Sequence, residues 1–507
     1  MANNEFSFLG ILTSIYERLK AKSERRKFLR RVDNDNYERK GVFEYNTAPI
    51  EAYITSRPLQ NIVISGNNEE IRARAICASA YQSQRNNRPV IVLHDGNREL
   101  MYRMGEVFRN SPNYYSISGD NQIYNPFAGR NGREISNFII SSGSNGNTPL
   151  NRFSVGLVDA ITTFLEARGI PLTLSAYIEC IKNEEYRQVT ELADMGEISE
   201  STALLISNRI RDSRESLGDV DAYFGMLDME MSSILAPVAE ERNVSIKSAV
   251  NGGGVVMIDV SSNNCNMLNI IVQEIKELIS RGQSISLMLE SVSIDENEGL
   301  ARELRNMSSR CNFVYSADDV YARAQANESI LSTMNGRSNV FVLQHSSGFT
   351  TEQFSRFFGE YDKDEVSQNL YAGSNQGQFG VGMPGYSRGG GLGTQRVRRR
   401  KVDDNDIADL RRNQAFIKLI NGNDVIKATF SEGSCTEEQV TPMRSPHTRR
   451  SSAPINWLLF AFLIVFTPPI GLIYLIAKSQ SNKARFIGGA IFGAILLTIF
   501  VMSIVFG

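Results

Sequence analysis

The stretch Asn61–Ala73, NIVISGNNEEIRA, decides the fold. Ile62-Val63-Ile64 is a β-branched apolar run that ends at Gly66, and Ile71, Ala75, Ile76 and Ala80 then recur at helical spacing. Strand, glycine turn and helix in that order form the frame of a phosphate-binding loop. A working loop reads G-x-x-x-x-G-K-[ST]: a second glycine for close backbone approach, a lysine for the β/γ-phosphates and a hydroxyl for Mg²⁺. Counted from Gly66, those three places hold Ile71, Arg72 and Ala73. Glu69 and Glu70 stand where backbone amides would face a polyanion, and they would repel it. Two readings follow: a nucleotide-site scaffold that no longer binds nucleotide, or an ordinary strand–helix turn that never did.

Outward from this frame the pattern stays α/β. Pro89–His94 (PVIVLH) is a second buried-type strand, followed by Asp95-Gly96 and a helix through Leu100, Met101 and Met104. Tyr114–Ile117 is a short third strand, and Tyr124-Asn125-Pro126-Phe127 closes the segment. Strands alternating with helices predict a parallel sheet. From Asn151 to Pro237 the periodicity turns helical, with Phe153, Leu157, Ala160, Ile161 and Phe164, then Ala203, Ile206 and Ile210, at helix spacing. Gly169–Pro171 and Asp212–Asp219 break these helices, so an all-helical insertion is expected. Sheet signals resume at Val255–Asp259, Ser284–Leu289, Asn312–Tyr315 and Val340–Leu343, with helices expected at Asn264–Ser280, around Leu300–Met307 and at Thr351–Phe358.

Gly373–Thr394 is rich in Gly, Ser, Asn and Gln and reads as a flexible loop; Arg396–Lys401 (RVRRRK) after it is a solvated basic face or, alternatively, a nucleic-acid contact. Ile407–Phe430 predicts a short helix and a hairpin turning at Asn421-Gly422-Asn423. At the other end, residues 6–31 form a basic amphipathic helix, with Phe8, Leu9, Leu12, Ile15, Tyr16 and Leu19 on one stripe and eight Lys/Arg following from Arg18 to Arg31. It either lies on an anionic membrane face or packs on its own domain.

Ile455–Ala477 and Phe486–Phe506 are uncharged and apolar, and each clears the roughly 20 residues a bilayer-spanning helix needs. Thr467-Pro468-Pro469 kinks the first and allows a re-entrant path, while Gly489 and Gly493 give the second a small-residue packing face. A multi-pass anchor in the cell membrane is expected. Five scattered cysteines without a C-x-x-C pair suggest reduced thiols, hence a cytoplasmic body. With 54 basic and 56 acidic residues, no global polyanion surface is implied, and three widely separated histidines argue against a metal enzyme.

The ordered stretches together resemble the TraG/TraD-type coupling proteins of type IV secretion and conjugation, membrane-attached RecA-like ATPases related to FtsK and HerA motors. The resemblance runs from Asn61 to Phe430: Asn61–Gly66 is similar to the first strand and glycine, Val90–Leu100 (VIVLHDGNREL) to a strand ending in an acid, here Asp95, Tyr124–Phe127 to the Y-N-P-F downstream, Ser338–Gly359 to a late strand and F-S-x-x-x-G helix, and Lys401–Phe430 to the closing helix and strand pair. It implies a RecA-like P-loop-type domain in two parts (residues 43–150 and 239–430), interrupted at 151–238 by an all-helical domain for protein cargo. A basic helix at 1–42, a loop at 373–395, a linker at 431–454 and a transmembrane hairpin at 455–507 complete the plan. The departures fall on catalysis. Beyond Ile71, Arg72 and Ala73, the family's Asp-Glu strand appears as Leu287-Met288-Leu289-Glu290-Ser291, leaving one acid where Mg²⁺ positioning and water activation each need one. The glutamine expected near Tyr315-Ser316-Ala317 is absent. Asp259 ends another strand, as a mimic of a metal acid or as a helix cap. The family's anchor is usually N-terminal, whereas this one is C-terminal. The expectation is therefore a non-catalytic coupling component without ATP or Mg²⁺, meeting membrane, apparatus proteins, protein cargo, DNA or further copies of itself or of a partner ATPase. The alternatives are a working translocase using Arg72 and Glu290 unconventionally, and a membrane scaffold without a secretion role.

Overall fold

The structure is a computed structural model that describes residues 8–431 apart from 144–149, 151–153, 239–242, 261–264, 293–305, 308–309, 325–335, 375–385 and 421. The expected membrane hairpin, with Gly489 and Gly493, and most of the helix expected around Leu300–Met307 lie outside the described residues. Among the described residues no helix is long and apolar enough to cross a membrane.

Seven strands form a parallel block in the spatial order β8-β2-β7-β6-β3-β5-β4, comprising β2 (Ile62–Ser65), β3 (Val90–His94), β4 (Tyr114–Ile117), β5 (Val255–Asp259), β6 (Ser286–Glu290), β7 (Asn312–Ala317) and β8 (Asn339–Val342). Parallel strands need long crossovers, which put helices on the sheet faces and bury both sides of each strand. Hence the near-continuous runs IVIS, VIVLH, SLMLE and NFVYSA, all of whose residues are buried. At the β8 edge the sheet is extended by β11 (Gln414–Lys418), antiparallel to β8, then β12 (Val425–Phe430), antiparallel to β11, and β1 (Val42–Ala48), parallel to β12. The closing hairpin therefore docks beside the central strands and makes ten strands in all.

α3 (Glu69–Arg85) and α4 (Arg98–Phe108) cross from β2 to β3 and from β3 to β4. Between β4 and β5 the chain is helical: α5 (Gly132–Gly143), α6 (Ser154–Ala167), α7 (Leu174–Lys182), α8 (Val189–Asp194), α9 (Glu200–Asp212) and α10 (Leu217–Met231). The breaks after Ala167 and Asp212 fall where Gly169–Pro171 and Asp212–Asp219 place them. After α11 (Ile246–Asn251) and β5, α12 (Cys265–Ser280) packs on α5 and α10, joining helical section and sheet. The Y-N-P-F turn is the seam: the Tyr124 hydroxyl donates to Glu274 Oε2 of α12 at 3.0 Å, and Tyr124 bridges to Leu235 and Val244.

One expectation is corrected. Of the Gly/Ser-rich stretch expected as a loop, 375–385 lie outside the described residues, while the rest belongs to a two-stranded ribbon, β9 (Glu360–Ser374) against β10 (Tyr386–Arg400), in antiparallel register from Glu360 opposite Arg400 to Ser374 opposite Tyr386. Ladder hydrogen bonds come from the backbone, so polar composition alone does not forbid a strand. The base of the ribbon is also matched in charge: Arg398 pairs with Glu360 at 2.6 Å, Arg399 with Glu365 at 3.0 Å and Arg396 with Asp364 at 3.5 Å. The basic run thus lies beside an acidic strand. The N-terminal helix α1 (Phe8–Lys40) runs past the amphipathic stretch at 6–31 and docks its end on that ribbon through Asn36 and Arg39, while Lys22, Arg25, Arg26, Lys27, Arg30 and Arg31 stay exposed. The side chains of its apolar stripe lie outside the described residues.

Candidate functional site

The frame read from Asn61–Ala73 sits at the carboxyl end of β2, between β7 and β8, where an open α/β sheet places its ligands. Only Gly66, Asn67 and Asn68 separate β2 from α3. Asn68 caps the helix, its Oδ1 accepting from the Ile71 amide at 3.1 Å, so the places for second glycine, lysine and hydroxyl fall inside the first turns of α3. Ile71 and Ala73 are buried in the core.

Gly66 is held tightly. Its φ is +140°, and a Cβ built there would stand 2.5 Å from Leu343 Cβ and 3.0 Å from the Gln344 carbonyl oxygen. The Gly66 amide donates to Ala317 O at 3.1 Å and the Asn67 amide to Gln344 O at 3.1 Å. In a phosphate cradle such amides point at the ligand. Here two of them close the ends of β7 and β8 onto the turn.

Arg72 completes the closure. Its Nε donates to Glu290 Oε1 at 3.0 Å and its Nη1 to Gly66 O at 2.5 Å, and both side chains of the ion pair are buried. Asn97, the N-cap of α4, uses both ends of its amide: Oδ1 accepts from the Leu100 amide at 2.8 Å, and Nδ2 donates to Glu290 Oε1 at 3.2 Å. Burial pushes the Glu290 carboxyl above its ordinary range, with the Arg72 guanidinium foremost among the groups pulling it back. Sequence-predicted Gly66, Arg72 and Glu290 are therefore brought together. Asp95 lies next to them, half-buried, its amide donating to Glu290 O at 3.2 Å. Asp259 takes a bridging role, with Oδ1 accepting from the Gly96 amide at 3.1 Å.

Several participants were not singled out from the sequence. The register aligns His94 with Glu290 and Glu290 with Ser316 across β3, β6 and β7, all buried. His94 Nδ1 accepts from the Asn97 amide at 3.2 Å, and burial lowers its pKa against the opposing charges of Asp259 and Asp95. Beyond β8, buried His345 is likewise lowered by burial, while nearby Asp319 opposes the shift and accepts from the Thr350 hydroxyl at 2.6 Å. Asn97 carries a turn signal in the sequence, Asp95-Gly96-Asn97, but nothing local marks its reach to Glu290. Among the described residues no group of three or more His, Cys, Asp or Glu could hold a metal ion.

Residues 314–431, from β7 to the end of β12, match the family of type IV secretion-system coupling protein DNA-binding domains. No curated protein matches the chain in sequence. Among solved structures, the unbound monoclinic form of the bacterial conjugative coupling protein TrwBdeltaN70 is 13% identical, covering 77% of this chain and 93% of that one, with a TM-score of 0.46. The plasmid coupling protein TrwB in complex with ADP and Mg²⁺ is 14% identical over 78% and 91%, with a TM-score of 0.43. VirB4 of Thermoanaerobacter pseudethanolicus is 11% identical over 74% and 89%, with a TM-score of 0.40. Over 314–431 the chain resembles the DNA-binding domain of type IV secretion-system coupling proteins, and its described residues form a mixed α/β fold with a large parallel sheet.

Proposed function

We propose that this chain is a coupling-protein-like pseudo-ATPase that recruits protein cargo or a partner ATPase to a secretion or conjugation apparatus at a membrane. One observation carries the loss of nucleotide chemistry. Arg72, at the lysine place, spends its guanidinium on buried Glu290 and on the Gly66 carbonyl, while the Gly66 and Asn67 amides spend their hydrogens on neighbouring strands. A γ-phosphate arriving there would meet no uncommitted cation from Arg72 and would have to break a buried ion pair. The uncharged segments at 455–477 and 486–506 supply the membrane attachment, with the body cytoplasmic. DNA contact is the function printed for the matched family, but the Arg396–Lys401 run is a poor vehicle for it, because Arg396, Arg398, Arg399 and Arg400 already pair with acids.

Recruitment is assigned to the helical section because α9 leaves Leu204 64% and Leu205 44% exposed on a helix whose Ala203 and Ile206 are buried. A photoreactive residue at Leu204, introduced into the full chain in cells carrying the apparatus, should yield a discrete protein adduct. Lipid adducts or none, in cells where the chain still assembles with the apparatus, would contradict recruitment through this section.

A further inference from the structure

One side of α1 changes character along its length. Phe8, Leu12, Ile15 and Leu19 are followed at the same three- and four-residue spacing by Lys22, Arg26 and Arg30, so a single row on the helix is apolar first and basic after. Glu17 and Glu24, the acids between Phe8 and Arg31, fall on the opposite side. The row ends at Asp33, just before the turns that meet the ribbon. Its apolar part rises roughly 17 Å along the axis, against about 30 Å for a hydrocarbon core, so it is too short to cross a bilayer and long enough to lie at its face.

The body holds α1 by its other end. Val32 is buried, Asn36 exchanges hydrogen bonds with the Asp364 backbone, and Arg39 pairs with Asp364 at 2.8 Å. Lys22, Arg26 and Arg30 are exposed, and among the described residues none of the three is in an ion pair. The ribbon is the contrast, since Arg396, Arg398, Arg399 and Arg400 each have an acid beside them. A basic row without counter-charge suits an anionic partner. Duplex DNA and an acidic bilayer both present phosphates, and the apolar half of the row decides between them. A duplex surface has no depth for four large apolar side chains in line, whereas a bilayer sets head-group phosphates directly over hydrocarbon.

We propose that α1 is an interfacial helix that reads anionic lipid, with the Phe8–Leu19 part of the row at the acyl boundary and Lys22, Arg26 and Arg30 among acidic head groups. This contact is separate from the attachment assigned above to 455–506. An uncharged hairpin enters a bilayer whatever its head groups, whereas the engagement of α1 depends on lipid charge.

The test uses the full chain with a photoreactive residue at Leu12, reconstituted into vesicles of phosphatidylcholine alone or with about one third phosphatidylglycerol. On illumination the acidic vesicles should give a lipid adduct at least about tenfold above the neutral ones, and about 0.5 M salt should remove most of the difference. Lys22→Gln/Arg26→Gln/Arg30→Gln should fall to the neutral-vesicle yield, while Lys22→Arg/Arg26→Lys/Arg30→Lys should keep the parent yield, because charge is what is read. All three positions are exposed, so both variants should unfold at the parent midpoint. Equal yields from the two kinds of vesicle, or a glutamine variant that labels lipid as well as the parent, would overturn the proposal. So would protection of Leu12 by a duplex oligonucleotide without any lipid adduct, which would make the partner nucleic acid. An adduct to the chain itself or to a second copy in both kinds of vesicle would also overturn it and make the row a packing face. Alkaline carbonate keeps this reading apart from the hairpin. A full chain that carbonate extracts, yet that labels acidic lipid through Leu12, sinks the hairpin and leaves the α1 contact standing. A carbonate-resistant chain without a Leu12 lipid adduct does the reverse.

Discussion

At the residue scale the site is a lock with its key residue inside. Arg72 and Glu290 are separated by 218 positions yet share a 3.0 Å hydrogen bond in the interior. Removing one partner of a buried pair leaves an uncompensated charge, so Arg72→Met should cost about 3–5 kcal/mol in urea unfolding at neutral pH. The double variant Arg72→Met/Glu290→Leu should recover most of it. The sign with pH is fixed as well: burial already raises the Glu290 carboxyl, and without Arg72 it rises further, so the penalty of Arg72→Met should grow as pH rises from 5 to 8 and shrink in acid. A penalty under about 1 kcal/mol at every pH would mean that the pair is incidental. Glu274, at the seam with the helical section, offers a second reading of the same physics. Burial pushes its carboxyl up to about 7, against the Lys247 amide, Arg130 and the Tyr124 hydroxyl. A raised folded pKa means that the native state holds a proton the unfolded state has lost, so stability falls as pH climbs from about 4.5 to about 7 and is level above. Glu274→Gln should remove that slope and gain on the order of 1–3 kcal/mol over the parent at pH 8 relative to pH 5. The variant and parent curves running parallel would refute it.

At the scale of elements, the sequence told most where burial is symmetrical. β2, β3, β6 and β7 are near-continuous apolar runs because helices cover both faces of a parallel sheet, and they fall where those runs do. The ribbon was illegible for the opposite reason. Its pairing is carried by backbone groups and by a charge match between Glu360–Glu365 and Arg396–Arg400, neither of which shows as hydrophobic periodicity. Nor does the sequence show that α1 ends on it. Asn36 presents its side-chain amide to the Asp364 backbone as a neighbouring strand would, Nδ2 donating to Asp364 O at 2.9 Å and Oδ1 accepting from Asp364 N at 2.7 Å. Asn36→Ala should therefore speed hydrogen exchange at the Asp364 amide and in the last turn of α1, leaving the global unfolding midpoint in place. Unchanged exchange at both sites would mean that the contact does not hold the helix.

At the scale of the molecule, an α/β fold with a large parallel sheet was legible from alternating strand and helix signals around Asn61–Ala73. The strand order was not, because periodicity says what an element is and not which neighbour it takes. The order matters for the site: it brings Ala317 of β7 and Gln344 beyond β8 onto the Gly66 turn, and β6 delivers Glu290. Missing glycine, lysine and hydroxyl could be counted from Gly66, whereas the closing of the turn by Arg72 could not. Membrane attachment belongs to this scale too. A chain cut after Ser452 should be released by alkaline carbonate while the full chain resists extraction, since each uncharged segment, inserted as proposed, would bury apolar side chains worth about 1.5–3 kcal/mol apiece. Equal extraction of both would place the attachment elsewhere, the exposed basic face of α1 being the first alternative.

The measurement that bears most directly on the central claim is equilibrium binding of Mg-ATP to the full chain in detergent, followed with a radiolabelled nucleotide and repeated with Arg72→Ala. The account predicts no saturable binding up to about 1 mM nucleotide, the upper end of the usual range of working sites, in the parent or in Arg72→Ala. Saturable micromolar binding by the parent, abolished in Arg72→Ala, would contradict it, for Arg72 would then be a phosphate ligand and the closed turn a resting state of a working nucleotide site.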